Sequence, residues 1–132
     1  MKRTVPTPNA SSILVDSSGW LELLIAGPKA PDFQPHLQEE PRVIVPTMII
    51  YEVYKKLAGG TTGNLPNVFL STVSRCRVVP CDSDIAVAAA QASLQYKLAM
   101  ADAIIFATAR IYEAQIVTTD PDFQGLPGVT LI

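Results

Sequence analysis

Short runs of β-branched and aliphatic residues recur along this chain with longer helix-prone segments between them, an alternation that leaves few folds open. Strands are expected at Ile13–Val15, Val43–Val45, Arg77–Val79, Gln115–Thr118 and Val129–Leu131. Helices are expected at Ser17–Ala26, Thr47–Leu57, Leu65–Ser74, Ser83–Leu98 and Ala101–Glu113. The stretch DIAVAAAQASLQYKLAMADAIIFATARIYEA is too long for one typical globular helix and divides near Ala99–Ala101. Pro46 suits the first position of the second helix, and Gly59-Gly60 closes it. The segment GPKAPDFQPHLQEEPR, broken by four prolines, reads as a loop with one short helical turn at Pro35–Glu39. Strands alternating with helices imply a parallel sheet covered on both faces. In such sheets ligands bind outside the carboxyl ends of the strands, where strand order reverses. Function is therefore sought in the polar residues that follow strand ends.

At 132 residues, 48% hydrophobic and 17% charged, the chain supports one domain with a single core. Residues 1–12, carrying Lys2 and Arg3, read as a flexible leader, and residues 13–132 as the folded domain. No apolar run approaches the length of a membrane span, so no membrane partner is expected. Cys76 and Cys81 are too few and too poorly spaced for zinc or a disulfide framework; they read as buried free thiols of a cytoplasmic protein. The net charge is −2, but setting aside four acids held in one metal site leaves +2 on the remainder. Lys55, Lys56, Arg75, Arg77 and Arg110 are then candidates for a phosphate-tracking rim.

Acidic residues occupy the expected positions. Asp16 follows the first strand in ILVDSSGW. Glu52 lies within the apolar helix MIIYEVY, Asp102 begins the last long helix, and Asp120 and Asp122 follow the fourth strand in VTTDPDF. Singly, each has an ordinary structural use. Asp16 suits a helix N-cap, Asp102 a helix first turn, and Asp120 and Asp122 a turn. Glu52 stands beside a face marked by Ile49, Val53 and Leu57, and buried carboxylates are rare unless paired or bound to a cation.

Jointly the acids pose an electrostatic problem. Two carboxylates about 4 Å apart repel by roughly 4 kcal/mol at an effective dielectric of 20. A hard divalent cation removes that repulsion, and oxygen donors without His or Cys suit Mg²⁺ or Mn²⁺. The only histidine, His36, falls in the proline-broken loop and is expected to be exposed. The hydroxyls of Ser17, Thr118 and Thr119 flank the acids and are candidates to orient ligands, with capping and strand packing as their ordinary uses.

ILVDSSGW, PTMIIYEVYKKL, ADAIIFATAR and VTTDPDF, in this order and at this chain length, resemble the four acidic motifs of the PIN-domain ribonucleases, most closely the VapC-type toxins of toxin–antitoxin pairs. The resemblance spans about Ile13 to Ile132. It implies a three-layer α/β/α sandwich with a parallel five-stranded sheet, and a metal-dependent endoribonuclease. Asp16, Glu52, Asp102 and Asp120 would be the catalytic, Mg²⁺-binding acids, with Mn²⁺ able to substitute and Asp122 a weaker contributor. It further implies an RNA substrate, a cognate antitoxin that inserts a peptide near the acids, and a homodimer.

Other readings compete. A PIN nuclease of RNA maturation, or a PIN-like module that grips RNA or a partner without cutting, uses the same residues. A phosphoacceptor receiver domain would place its aspartate at Asp82, but no lysine follows the fifth strand. A haloacid-dehalogenase-like phosphatase would need an acid where Ser18 stands. Trp20, Leu24, Tyr54 and Phe69 are candidates for a dimer or antitoxin groove, with core packing as the default for each.

Overall fold

The computed structural model of the chain describes residues 12–132. The leader expected over residues 1–12 lies outside the described residues except for Ser12, which opens the first strand. The elements run β1 Ser12–Val15, α1 Ser17–Leu24, α2 Ala30–Phe33, β2 Ile44–Pro46, α3 Thr47–Ala58 and α4 Leu65–Val73. They continue with β3 Arg77–Val79, α5 Ser83–Tyr96, α6 Met100–Ile111, β4 Ala114–Thr118 and β5 Val129–Leu131. Each strand lies within one residue of its expected place and each long helix within two.

The proline-rich segment is more helical than expected. It holds α2 and two 3-10 turns, Gln34–Leu37 and Glu40–Arg42, each with a proline in its first two positions. A proline ring fixes φ near its helical value and lacks only an N–H that the first turn leaves unpaired, so these prolines start turns. His36 consequently sits half-buried in a 3-10 turn and is not an exposed loop residue. Pro46 ends β2 as the N-cap of α3, with extended ψ, one position before the helix proper.

All strand pairs are parallel. Val15 lies opposite Val117, Val117 opposite Thr130, and Val45 opposite Val78. Among the described residues the expected continuous five-stranded sheet divides into β1-β4-β5 and β2-β3, joined by a single bridge between Ile13 and Val43. The order across both pieces is β3-β2-β1-β4-β5, with its reversal at β1. Right-handed crossovers then place α1, α3 and α4 on one face and α5 and α6 on the other, forming a three-layer α/β/α sandwich.

The core contains Leu14, Val15, Ile44, Val45, Ile116 and Val117 of the strands, covered by Ile49, Val53, Leu57, Ile85 and Ile105. Trp20 and Phe69 are buried in it, meeting edge to face at 5.5 Å, and Trp20 also lines an open depression of about 350 Å³ together with Leu24. Leu24 is half-buried and Tyr54 exposed. Gly19 lets α1 approach the sheet closely: a Cβ there would lie 2.5 Å from side-chain atoms of both Val15 and Phe33. That approach holds Ser17 and Ser18 against the carboxyl end of β1. Cys76 is half-buried and Cys81 exposed, so only the first approaches the buried thiol expected. Burial, followed by the charge of Glu40, pushes the Cys76 thiol up to about 11.

Candidate metal centre

The carboxyl ends of β1 and β4 lie side by side where strand order reverses, the position at which open α/β sheets form a crevice. Asp16 leaves β1 and occupies the N-cap position of α1, yet its side chain makes no capping bond to the second or third N–H of that helix. Its Oδ2 instead accepts the Thr118 hydroxyl at 2.8 Å, and the residue is 4% exposed. Thr118 Oγ1 in turn accepts the Asp120 N–H at 2.9 Å, so one buried hydroxyl ties the acid after β1 to the acid after β4.

Asp120 performs turn chemistry as well. Its Oδ1 accepts the Asp122 N–H at 2.9 Å and caps the 3-10 turn Pro121–Phe123. That turn brings Asp122 alongside Asp102, which stands in the first turn of α6. One carboxylate oxygen each from Asp102, Asp120 and Asp122 lies within 4.8 Å of the others. Turn and acid-cluster readings of VTTDPDF are therefore compatible, and Asp122 stands beside Asp102 and Asp120 as the exposed member of the three.

Glu52 reaches the same region from α3, whose Ile49 and Val53 are fully buried on either side. Its Oε1 is buried with no hydrogen-bond partner. Such an atom ordinarily carries the desolvation cost of an unsatisfied acceptor, about 1–3 kcal/mol and more for a charged group.

Electrostatics follow from this crowding. Burial, opposed by the Thr118 hydroxyl and the Ser17 amide and reinforced by Asp120, raises the pKa of Asp16. Burial, then the charges of Asp16 and Asp102, raises that of Glu52, partly offset by the Ser17 side chain. Burial, then Asp120, Asp16 and Asp122, brings Asp102 up to about 6. Among the described residues, no lysine or arginine forms an ion pair with any of the five acids. An all-oxygen donor set, mutual repulsion and an orphaned carboxylate oxygen fit a hard divalent cation better than an acid cluster kept for stability.

The flanking hydroxyls divide their tasks. Thr118 carries the central bridge, and Ser17 faces Glu52. Thr119 contributes its backbone N–H, donated to Ser18 Oγ at 3.2 Å. Ser18, the second hydroxyl residue after Asp16, carries no sequence signal that separates it from Ser17, and only this contact identifies it. Asp82 is explained without phosphotransfer, since its Oδ1 accepts the Ile85 N–H at 2.9 Å and caps α5. The five basic residues do not form one rim. Arg75 pairs with Glu40, Arg77 stands over the Tyr112 ring at the amino end of β3, and Arg110 lies near Gly128 before β5.

A family model described as PIN domain matches residues 13–129. The fold is similar to a toxin–antitoxin complex from Klebsiella pneumoniae, with TM-score 0.77 and 25% identity over 90% of this chain and 96% of that one. It is similar to a DNA-bound VapBC from Salmonella typhimurium, with TM-score 0.74 and 16% identity over 92% and 97% of the two chains. The sarcin-ricin-loop-cleaving toxin VapC20 of Mycobacterium tuberculosis superposes with TM-score 0.73 and 21% identity, covering 89% and 97%. No curated protein sequence matches.

Proposed function

Because the chain belongs to the PIN-domain family, we propose that it is a divalent-metal-dependent endoribonuclease acting as the toxin of a toxin–antitoxin pair. The observation that carries this reading is the convergence of Asp16, Glu52, Asp102, Asp120 and Asp122 without a cationic partner, one of their oxygens buried and unpartnered. Asp102, Asp120 and Asp122 would hold Mg²⁺ or Mn²⁺, with Asp16 and Glu52 completing the site. When bound, such an ion acidifies water and stabilises charge on a phosphodiester in hydrolysis.

The remaining work belongs to the chain itself. Thr118 fixes the orientation of the Asp16 carboxylate and, through Asp120 N–H, the spacing between the two acids. Ser18 pins the backbone of Thr119 so that the end of β4 does not drift from α1. Glu52 Oε1 is an open acceptor for a proton or cation at the wall formed by α3.

An antitoxin partner is supported by the likeness to toxin–antitoxin complexes. A homodimer is supported by exposed apolar side chains on α5 and the start of α6, namely Val87, Leu94 and Met100. No helix among the described residues is long and apolar enough to cross a membrane.

The test is cleavage of total cellular RNA, read by sequencing new 5′ ends, with Mg²⁺, with Mn²⁺, with chelator, and with Asp102→Asn. Discrete cuts that disappear with chelator and in the variant are expected. Cleavage that survives chelator would remove the metal from the mechanism. Metal-dependent stabilisation without any cut would favour the non-catalytic PIN-like module. Cuts confined to precursor ends would favour an RNA-maturation nuclease.

A further inference from the structure

Beside the acidic site, α3 turns an exposed face outward at an open depression of about 440 Å³ lined by Glu52, Lys55, Lys56, Gly59 and Gly60. That volume lies within the roughly 300–1,000 Å³ of pockets that receive drug-sized small molecules, although the depression is open to solvent. Glu52 belongs to both the depression and the acidic site. Lys56 stands one helical turn beyond it, about 6 Å along the axis. Neither lysine forms an ion pair among the described residues. Lys55 Nζ donates to the Tyr51 hydroxyl at 3.3 Å and lies 5.5 Å from the ring centroid. Tyr51 is 60% exposed. Arg75 is paired with Glu40, and Arg77 stands over Tyr112 at the amino end of β3, away from this face.

We infer that this face of α3 is the track along which single-stranded RNA reaches the acidic site, Lys55 and Lys56 holding phosphates and Tyr51 stacking a base. Its substrate rests on the nuclease reading. A polyanion approaching five carboxylates is repelled unless positive charge flanks its path, and these lysines supply that charge beside Glu52. Gly59 and Gly60 add no side chain to the depression, so a backbone can lie close to the lysines. An exposed tyrosine one helical turn before a pair of lysines offers a stacking surface beside positive charge, the combination single-strand binders use, because every base has a face to stack and few sequences are excluded. Lys55 and Lys56 are thus positioning residues that act on substrate binding.

The test uses a fluorescein-labelled, mixed-sequence single-stranded RNA of about 12 nucleotides, within the range of single-strand site sizes. Anisotropy is read with Mg²⁺ on an Asp102→Asn background, so that the probe stays intact. Lys55→Gln with Lys56→Gln is expected to raise Kd about tenfold and reduce the salt slope by about 1 to 1.5. Lys55→Arg with Lys56→Arg should restore both, and Arg77→Gln should leave both unchanged. With Asp102 present, the same glutamine pair should raise KM for cleavage and leave kcat within about twofold.

Unchanged Kd and salt slope, or no RNA binding by the parent protein at about 50 mM salt, would overturn the inference. A change in oligomeric mass by light scattering with Kd unaltered would overturn it in favour of an interface between two copies. Lysine-dependent binding without cleavage in any divalent ion would sustain the track and refute the nuclease. Cleavage with KM indifferent to the lysines would do the reverse.

Discussion

Replacing Asp102 by Asn removes the carboxyl whose ionisation the fold resists most clearly, and the metal-free protein should become more stable as a result. Burial and the neighbouring Asp120, Asp16 and Asp122 raise this group from 3.8 to about 6. At about 1.4 kcal/mol per pH unit the ceiling is about 3 kcal/mol. The side chain is only partly buried, and screening by water reduces this to about 1.5 kcal/mol. Asp102 also stands in the first turn of α6, where a negative charge gains about 0.5 kcal/mol from the helix N-terminus. Repulsion and burial win, leaving about 1 kcal/mol, or about 3–5 °C in Tm for a domain of this size.

The pH dependence has a definite sign. A carboxyl with a raised folded pKa keeps its proton longer when folded, so stability is lost as pH rises from about 4 through about 6. The advantage of Asp102→Asn should therefore be largest above pH 7 and vanish near pH 4. The assay is thermal unfolding by circular dichroism in chelator across that range. Adding Mg²⁺ or Mn²⁺ should reverse the ranking, because wild type gains ligand-linked stability that the variant largely lacks. An Asn variant less stable than wild type at pH 7.5 in chelator, or a difference flat with pH, would refute the account of a strained acidic cluster.

Further outcomes follow from the same contacts. Thr118→Val deprives Asp16 Oδ2 of its donor and Asp120 N–H of its acceptor, and should cost about 1–3 kcal/mol, with Thr118→Ser recovering most of it in urea unfolding. Gly19→Ala gains about 1 kcal/mol of helix propensity but drives a methyl to 2.5 Å from Val15 and Phe33, so a net loss of about 1–2 kcal/mol in the same assay is expected. Cys81 is exposed, whereas Cys76 is half-buried with its thiol pushed up to about 11; at pH 8 Cys81 should take up maleimide at least about tenfold faster, read by peptide mass.

The acidic cluster lets turn formation and charge concentration share residues. Asp120 accepts its own turn's N–H and still presents a carboxylate oxygen near Asp102 and Asp122. Asp16 occupies a cap position but directs a carboxylate oxygen to Thr118. In both places a residue type with a common local use is diverted by a long-range contact. A local rule could not have distinguished the two uses, because the deciding partner of Asp16 lies 102 residues away.

Sequence alone determined the order and approximate bounds of the strands and long helices, since period, helix propensity and stop residues act over a few neighbours. It also determined that Asp16, Asp102, Asp120 and Asp122 lie at or just beyond element ends, the positions from which side chains of a parallel sheet can meet. Glu52 was legible because Ile49 and Val53 mark the buried face beside it. Tertiary structure alone decided that Asp122 joins Asp102 and Asp120, that Ser18 secures Thr119, and that Trp20 and Phe69 are core. It likewise decided the division of the sheet between β1 and β2, where the described residues share a single bridge. The reason is physical: propensity and capping are settled within one turn of chain, whereas register, burial and repulsion depend on which distant segments share a few ångströms of space.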